Sequence, residues 1–341
     1  MRMRLMLGAV MAGAVLLIAA APAVAQCEPD GEVQFLCGPA SPEDLAPIAQ
    51  SPWVIVSNMV DGGELHLADT RDLTTTVLFS PATGRAEHDM ETYGDCPGPV
   101  TSDFRPHGLY VRHSDGVDHT LLVVGHGARE AIEVFDVDMR EGRPELTWVG
   151  CAVAPEGIGL NSVAALPEGG FASTSPAAGN IWEWRPGAGW SVVPGSEDIG
   201  RPNGLEISRD GQWFYVGGYE VMSLVRLSRG RTPIVKEGVE VGFHIDNVRW
   251  GANETLLAAG HRGRGGEREA IMACLREGDC DGVASYVAQV DPAQMTAWQV
   301  VEYPSNELLI LGTVAIQVGD EIWVGQVAGG DRIGRFPAPG N

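Results

Sequence analysis

The 341-residue chain carries 45 acidic against 23 basic residues, a net charge of −22, so nucleic acid and anionic lipid surfaces are excluded as partners. Its 45 glycines and 22 prolines punctuate short apolar runs. No sustained 3.6-residue periodicity appears beyond the first 25 residues, which excludes a helical bundle and points to an all-β fold.

Taken in chain order, residues 1–25 read as a secretory signal peptide. Arg2 and Arg4 precede an apolar run, and Ala23-Val24-Ala25 supplies a small-residue cleavage site. Cleavage after Ala25 leaves a single domain over residues 26–341, secreted or periplasmic and without stable membrane insertion. In an exported chain the six cysteines, none in a CxxC pattern, favour disulfides. Cys274 with Cys280, flanking a short loop, is the first expected pair. Cys27 with Cys37 and Cys96 with Cys151 complete the set, though no motif fixes them.

Six segments then share one grammar: a polar corner, a short apolar strand, a turn and a stronger strand. They start at Glu43, Arg105, Gly159, Arg201, His244 and Leu311. The fourth is the most regular: RPNGLEISRDGQWFYVGGYEVMSLVRLSR places a Pro-Asn-Gly corner before a strand, an Asp-Gly turn, a second strand over 212–217 and a third over 223–228. Small sheets of this kind cannot bury both faces alone, so six of them predict a six-bladed β-propeller around a central channel. Two stretches break the rhythm. Residues 80–102 form a long polar connection, and residues 261–282 form an insertion with the only modest helix signal, over 268–276. Loops of that length serve as lids or lips about as often as they are idle.

In a propeller the start of each innermost strand faces the channel mouth. The corners here supply Glu43 and Asp44, His107, Asn161, Asn203, and Asp246 with Asn247. Carboxylate and amide oxygens without thiolates are the ligands a hard cation such as Ca²⁺ prefers. Glu43, Asn161, Asn203, Asp246 and Asn247 would give it five side-chain oxygens. Any one such residue is more often a plain turn former; the argument is the same residue type at the same phase of several repeats.

The motifs SPEDLAPI, FRPHGLYV followed by LLVVGH, LNSVAAL, PNGLEISRDGQWFYV, DNVRW followed by AAGH, and GTVAIQVGDEIWVG occur in this order over most of the mature chain. In them the chain resembles the paraoxonase family, within the wider calcium-dependent group of gluconolactonases and the senescence marker protein. The resemblance implies a central calcium site on Glu43, Asn161, Asn203, Asp246 and Asn247. It implies a histidine dyad, with His107 as the base that activates water and His126 in support, and a further pocket histidine, His261. It implies a second, structural calcium on Asp44 and the backbone of Leu109. At that site the family's third ligand, an Asp, is Ser162 here, which puts the site in doubt. The family's disulfide between the first and last strands is also missing, since no cysteine follows Cys280.

The function implied is calcium-dependent hydrolysis of lactones or aryl esters, with a small-molecule substrate. No GxSxG nucleophile elbow competes with it. Rival readings are a sugar-lactone hydrolase of the gluconolactonase type, a non-catalytic propeller pinned by calcium, and a strictosidine-synthase-like propeller.

Overall fold

A computed structural model describes residues 27–339; the signal sequence expected over 1–25 lies outside them. Six antiparallel sheets follow one another along the chain, as the repeats predicted. Their innermost strands are Pro42–Pro47, Phe104–Arg112, Val163–Ala165, Pro202–Ile207, His244–Trp250 and Leu311–Val318. The fold is a six-bladed propeller. In the fourth blade the second strand is Trp213–Gly218 and the third Ser223–Ser228, within one residue of expectation. Gly211 turns between the first two strands at φ +69°, a conformation open to glycine at no steric cost.

The core is a ring rather than a ball. Each pair of neighbouring blades encloses its own apolar cluster: Phe135 and Trp148 with Ile55 between blades one and two, Phe214 with Ile181 between three and four, Trp323 with Val54 between six and one. A blade is therefore apolar on both faces, and each fully buried aromatic or branched side chain contributes roughly 1.5–3 kcal/mol. The ring is closed by a strand that the repeat pattern did not reveal. Gln34–Cys37 pairs antiparallel with Arg332–Pro337 and becomes the outer strand of blade six. Backbone hydrogen bonds thus join first strand to last where the resembled family uses a disulfide. Cys27 pairs with Cys37 at that strand, and the other pairs are Cys96 with Cys151 and Cys274 with Cys280.

The two irregular stretches lie in different places. The 80–102 connection drapes over the outer edge of blade two, where Arg85–Ala86 adds a parallel fifth strand and Tyr93 stacks on Trp184 of blade three. It is not a lid on the channel. The 261–282 insertion contains the helix Arg268–Glu277, ended by Gly278 at φ +73°. Its Ile271 and Cys274 pack with Val283 and Leu311. Leu311 begins the inner strand of blade six, so the insertion sits at the mouth of the channel. Among the described residues no helix is long and apolar enough to cross a membrane.

What aims the corners inward is a β-bulge repeated at one phase. The inner strands shift register between Pro42 and Leu45, Pro106 and Leu109, Pro202 and Leu205, Ile245 and Asn247, and Gly312 and Ala315. A bulge leaves residues unpaired and re-aims their side chains; here those residues include Glu43, Asp44, His107, Asn203 and Asp246. Adjacent inner strands meet very closely at these points. A Cβ on Gly204 would lie 2.6 Å from the Asn247 Cα and from the Asp246 carbonyl oxygen, and one on Gly108 would lie 2.5 Å from the Asn161 carbonyl oxygen. The glycines of PNG and PHG are therefore steric requirements of the site. Gly204→Ala pushes on backbone that cannot swing aside and should destabilise the fold by about 1–3 kcal/mol in thermal or denaturant unfolding.

Candidate functional site

At the starts of the inner strands the bulges gather one polar cluster. The Glu43 carboxylate accepts a hydrogen bond from Asn247 Nδ2 at 2.7 Å and lies 3.5 Å from His107 Nε2. The Asn203 amide hydrogen-bonds the Asp246 carboxylate. Asn161 abuts Gly108, next to His107. Glu43, Asn203, Asn247 and His107 are buried, whereas Asp246 is open enough to touch solvent. Burial raises the Asp246 pKa well above the ordinary carboxylate value, and the neighbouring Glu43 charge adds to the shift. Burial is the largest influence on Glu43 and acts against its ionisation, but His107 together with the Asn247 hydrogen bond and Arg249 outweighs it and holds Glu43 below its ordinary value. In His107 the same pair works the other way: burial opposes the imidazolium, Glu43 favours it, and the pKa is raised.

Three oxygens in this cluster have no partner. Glu43 Oε2, Asn161 Oδ1 and Asn203 Oδ1 are buried and accept no hydrogen bond. Each such atom costs roughly 1–3 kcal/mol, so three on adjoining corners call for a ligand. The donor set, carboxylates and amides without sulfur, is of the kind that holds a hard cation. Among the described residues no cluster of three or more His, Cys, Asp or Glu has the arrangement of a metal site. The two observations concern different atoms, because two of the three orphaned oxygens belong to asparagines.

The second expected cation site does not fit. Asp44 accepts from the backbone N–H of Leu45 at 2.8 Å and of Leu109 at 2.7 Å, and its Oδ2 also receives the Arg249 guanidinium. The same guanidinium donates to the Leu109 carbonyl at 2.9 Å. Asp44 and the Leu109 backbone are therefore brought together as expected, but around a cation that the chain itself supplies. Ser162, which stands where the family has an Asp, accepts the Leu205 N–H at 3.1 Å and is equally occupied. Burial still pushes the Asp44 pKa up to about 6, against the pull of Arg249.

The histidines form a chain whose far end sequence reasoning missed. His107 Nδ1 lies 2.9 Å from His126 Nε2, and His126 Nδ1 lies 2.8 Å from Glu130 Oε2. Glu130 is itself held by the Leu160 N–H at 2.6 Å. A carboxylate can only accept, so His126 carries its proton on Nδ1. Its Nε2 then accepts from His107 Nδ1–H, and the lone pair of neutral His107 falls on Nε2, on the Glu43 side. The signal for Glu130 was its spacing of four from His126 across a tight hairpin. His261 is placed differently. Its Nδ1 is 3.1 Å from the Gly312 carbonyl, which can only accept, so its Nε2, at 2.9 Å, accepts from the Tyr219 hydroxyl. Burial depresses its pKa to about 4. Both ring nitrogens are committed, and His261 forms a neutral wall. Nearby His244, also passed over in the sequence, bonds the Tyr219 carbonyl at 2.7 Å and leaves Nε2 buried without a partner.

No family model matches the chain, and no curated protein sequence matches it. Solved structures do. A gluconolactonase from Xanthomonas campestris is similar at 16% identity and TM-score 0.56, over 90% of this chain and 89% of that one. A luciferin-regenerating enzyme is similar at 11% identity and TM-score 0.56, over 90% and 95%. A virginiamycin B lyase from Staphylococcus aureus is similar at 9% identity and TM-score 0.53, over 90% and 99%. At these identities the likeness is one of fold. It meets the gluconolactonase side of the sequence resemblance at that level and carries no paraoxonase-like specificity. Since one relative in shape is named a lactonase and another a lyase, the chemistry must be argued from side chains.

Two outcomes follow from the buried charges. Arg249→Met leaves Asp44 uncompensated and should cost about 3–5 kcal/mol of stability, measured by denaturant unfolding. Glu206, deeper in the channel, is bonded by Tyr110, and burial raises its pKa from 4.5 to about 7 against the pull of Arg249. A raised carboxylate pKa gives stability that is complete below 4.5 and lost as pH rises towards 7. Glu206→Gln should flatten the stability profile across that window by on the order of 2 kcal/mol, read by urea unfolding at a series of pH values.

Proposed function

We propose that this chain is a calcium-dependent hydrolase of lactones or aryl esters, working on a small-molecule substrate outside the cytoplasm. The observation that carries the reading is the set of unpartnered buried oxygens on Glu43, Asn161 and Asn203, adjoining the His107, His126 and Glu130 chain. Glu43, Asn161, Asn203, Asp246 and Asn247 would hold the ion. When bound, Ca²⁺ supplies Lewis-acid polarisation of the substrate carbonyl and stabilises the negative charge that grows on its oxygen. Three cysteine pairs support an oxidising compartment.

The residues of the chain supply the rest. A water between His107 Nε2 and the carbonyl carbon loses its proton to that nitrogen as its oxygen forms the new C–O bond. His126 accepts from His107 Nδ1–H and so keeps the Nε2 lone pair pointed into the channel. Glu130 orients His126 and favours positive charge on the pair while the proton is held. The ester C–O bond then breaks, and His107 returns the proton to the leaving oxygen, giving a hydroxy acid from a lactone or an acid and a phenol from an aryl ester. A Glu43 engaged with a cation no longer favours the imidazolium, which leaves His107 neutral, as a base must be. His261, with both nitrogens committed, shapes the wall with Tyr219. The gluconolactonase-type reading shares this machinery and differs in the substrate that fits the mouth. The fold likeness to a gluconolactonase supports keeping it.

Purified mature protein assayed on γ- and δ-lactones, gluconolactone and aryl acetates should turn over at least one class, lose activity with EDTA and regain it with Ca²⁺. His107→Gln should lower kcat roughly 10²–10⁴-fold with calcium affinity unchanged, and Asn203→Ala should weaken both. Calcium binding seen as a thermal shift, with no turnover of any substrate, would replace this reading with a non-catalytic propeller.

A further inference from the structure

The channel has a second end. A cavity of about 620 Å³ opens where the inner strands finish, lined by Pro47, Tyr110, Arg112, Ile207, Arg209 and Trp250 among others. That volume lies within the range of small-molecule sites. Nothing in the hydrolytic reading uses it. Between the two ends stand the Asp44 and Arg249 pair and the Glu206 and Tyr110 pair, so this cavity is closed off from Glu43 and His107 by side chains already bonded to one another.

Among the described residues eleven arginines pair with a carboxylate, but the two on the rim of this cavity, Arg112 and Arg209, do not. Arg112 gives one Nη to the Gly170 carbonyl, and its Nε is buried without a partner. Arg209 is exposed and lies over the Trp250 ring at 5.3 Å. The one carboxylate lining the cavity, Glu206, is buried, bonded by Tyr110 and by the Ile207 N–H at 2.8 Å. Leu166, Pro167, Ile207 and the Tyr110 and Trp250 rings give the walls an apolar character. Two guanidiniums without a carboxylate partner, beside an apolar, aromatic-lined hollow, match a ligand with one anionic group and an apolar body.

We propose that this far end of the channel is a binding site for a small amphipathic carboxylate, held by Arg112 and Arg209 with its apolar part against Trp250, Ile207 and Pro167. The site is separate from the hydrolytic one and does not depend on that reading.

The probe is octanoate, titrated calorimetrically into the mature protein in the presence of EDTA, with Trp fluorescence followed in parallel and 1-octanol as the uncharged control. One saturable site is expected, with affinity about fivefold or more lower in Arg209→Glu, a change on an exposed side chain that the fold tolerates, and lower again in Arg112→Gln. Octanol should bind weaker by a similar factor, and His107→Gln should bind octanoate as the wild type does. Four results would overturn the proposal: no binding up to about 10 mM octanoate, equal binding of octanol, binding that survives Arg209→Glu unchanged, or binding lost in His107→Gln, which would put the ligand at the other end.

Discussion

Charge balance inside the channel governs this molecule. Glu43 and Asp44 on the inner strand of blade one and Asp246 on that of blade five converge at the channel axis, and buried like charges of that kind cannot all ionise unless positive charge is brought to them. Asp44 is answered from within: Arg249 reaches across from blade five, binds its carboxylate and caps the Leu109 carbonyl on the way. That one side chain ties blades one, two and five together through their inner strands. Glu43 and Asp246 have His107 beside them, with Arg249 acting on Glu43 from Asp44, and oxygens on Glu43, Asn161 and Asn203 are left unsatisfied. The same constraint thus has two outcomes within a few residues of chain: a side-chain cation at Asp44, and at Glu43 and Asp246 a cluster of oxygens that the proposed reading assigns to a metal ion. The Arg249 guanidinium is committed to Asp44 and to the Leu109 carbonyl, so its role there is structural.

The geometry that creates this constraint was only partly visible in the sequence. Corners at a common phase, and the strands of the fourth blade, could be read because turn residues and alternation are local signals. Closure of the ring could not. Gln34–Cys37 carries no repeat grammar of its own and becomes a strand only because Arg332–Pro337 presents an unpaired edge some three hundred residues later in the chain. Arg249 lies inside a quoted motif, DNVRW, yet its role depends on a bulge at Asp246, three residues earlier, that turns Asp246 inward while Arg249 reaches Asp44 on another blade. Ser162 gave a local hint that the second cation site was altered; what replaced it came from elsewhere in the sequence. Glu130 was hidden for the opposite reason: it is near His126, but nothing in a hairpin turn distinguishes a partner from a solvated acid until its second oxygen is seen to hold Leu160.

The glycines show why polar corners and close packing arrive together. Each blade offers its neighbour a backbone edge rather than a side chain at the channel, since Gly108 and Gly204 leave no room for a Cβ. Strands that close exclude water from the space between corners, and excluded water is what makes an unpaired amide oxygen expensive and a bound cation favourable. The wider chain is consistent with this: apolar clusters fill the gaps between blades and leave the axis to polar groups, so tolerance to substitution should fall towards the axis for steric reasons and again for electrostatic ones.

The two ends of the channel differ in the groups that could carry a proton under the proposed reading. His107 is buried, but the chain of imidazole, imidazole and carboxylate leads outwards to His126 and Glu130, whose side chains are 22% and 30% exposed. His107 therefore has a hydrogen-bonded connection towards solvent, through which its protonation state could equilibrate. Glu206, bonded by Tyr110 and the Ile207 N–H, faces a cavity lined by Arg112, Arg209 and His113 rather than by a chain of bonded imidazoles and a carboxylate. One end of the channel thus carries a bonded imidazole chain and the other a pair of guanidiniums, although both are built from the two ends of the same inner strands.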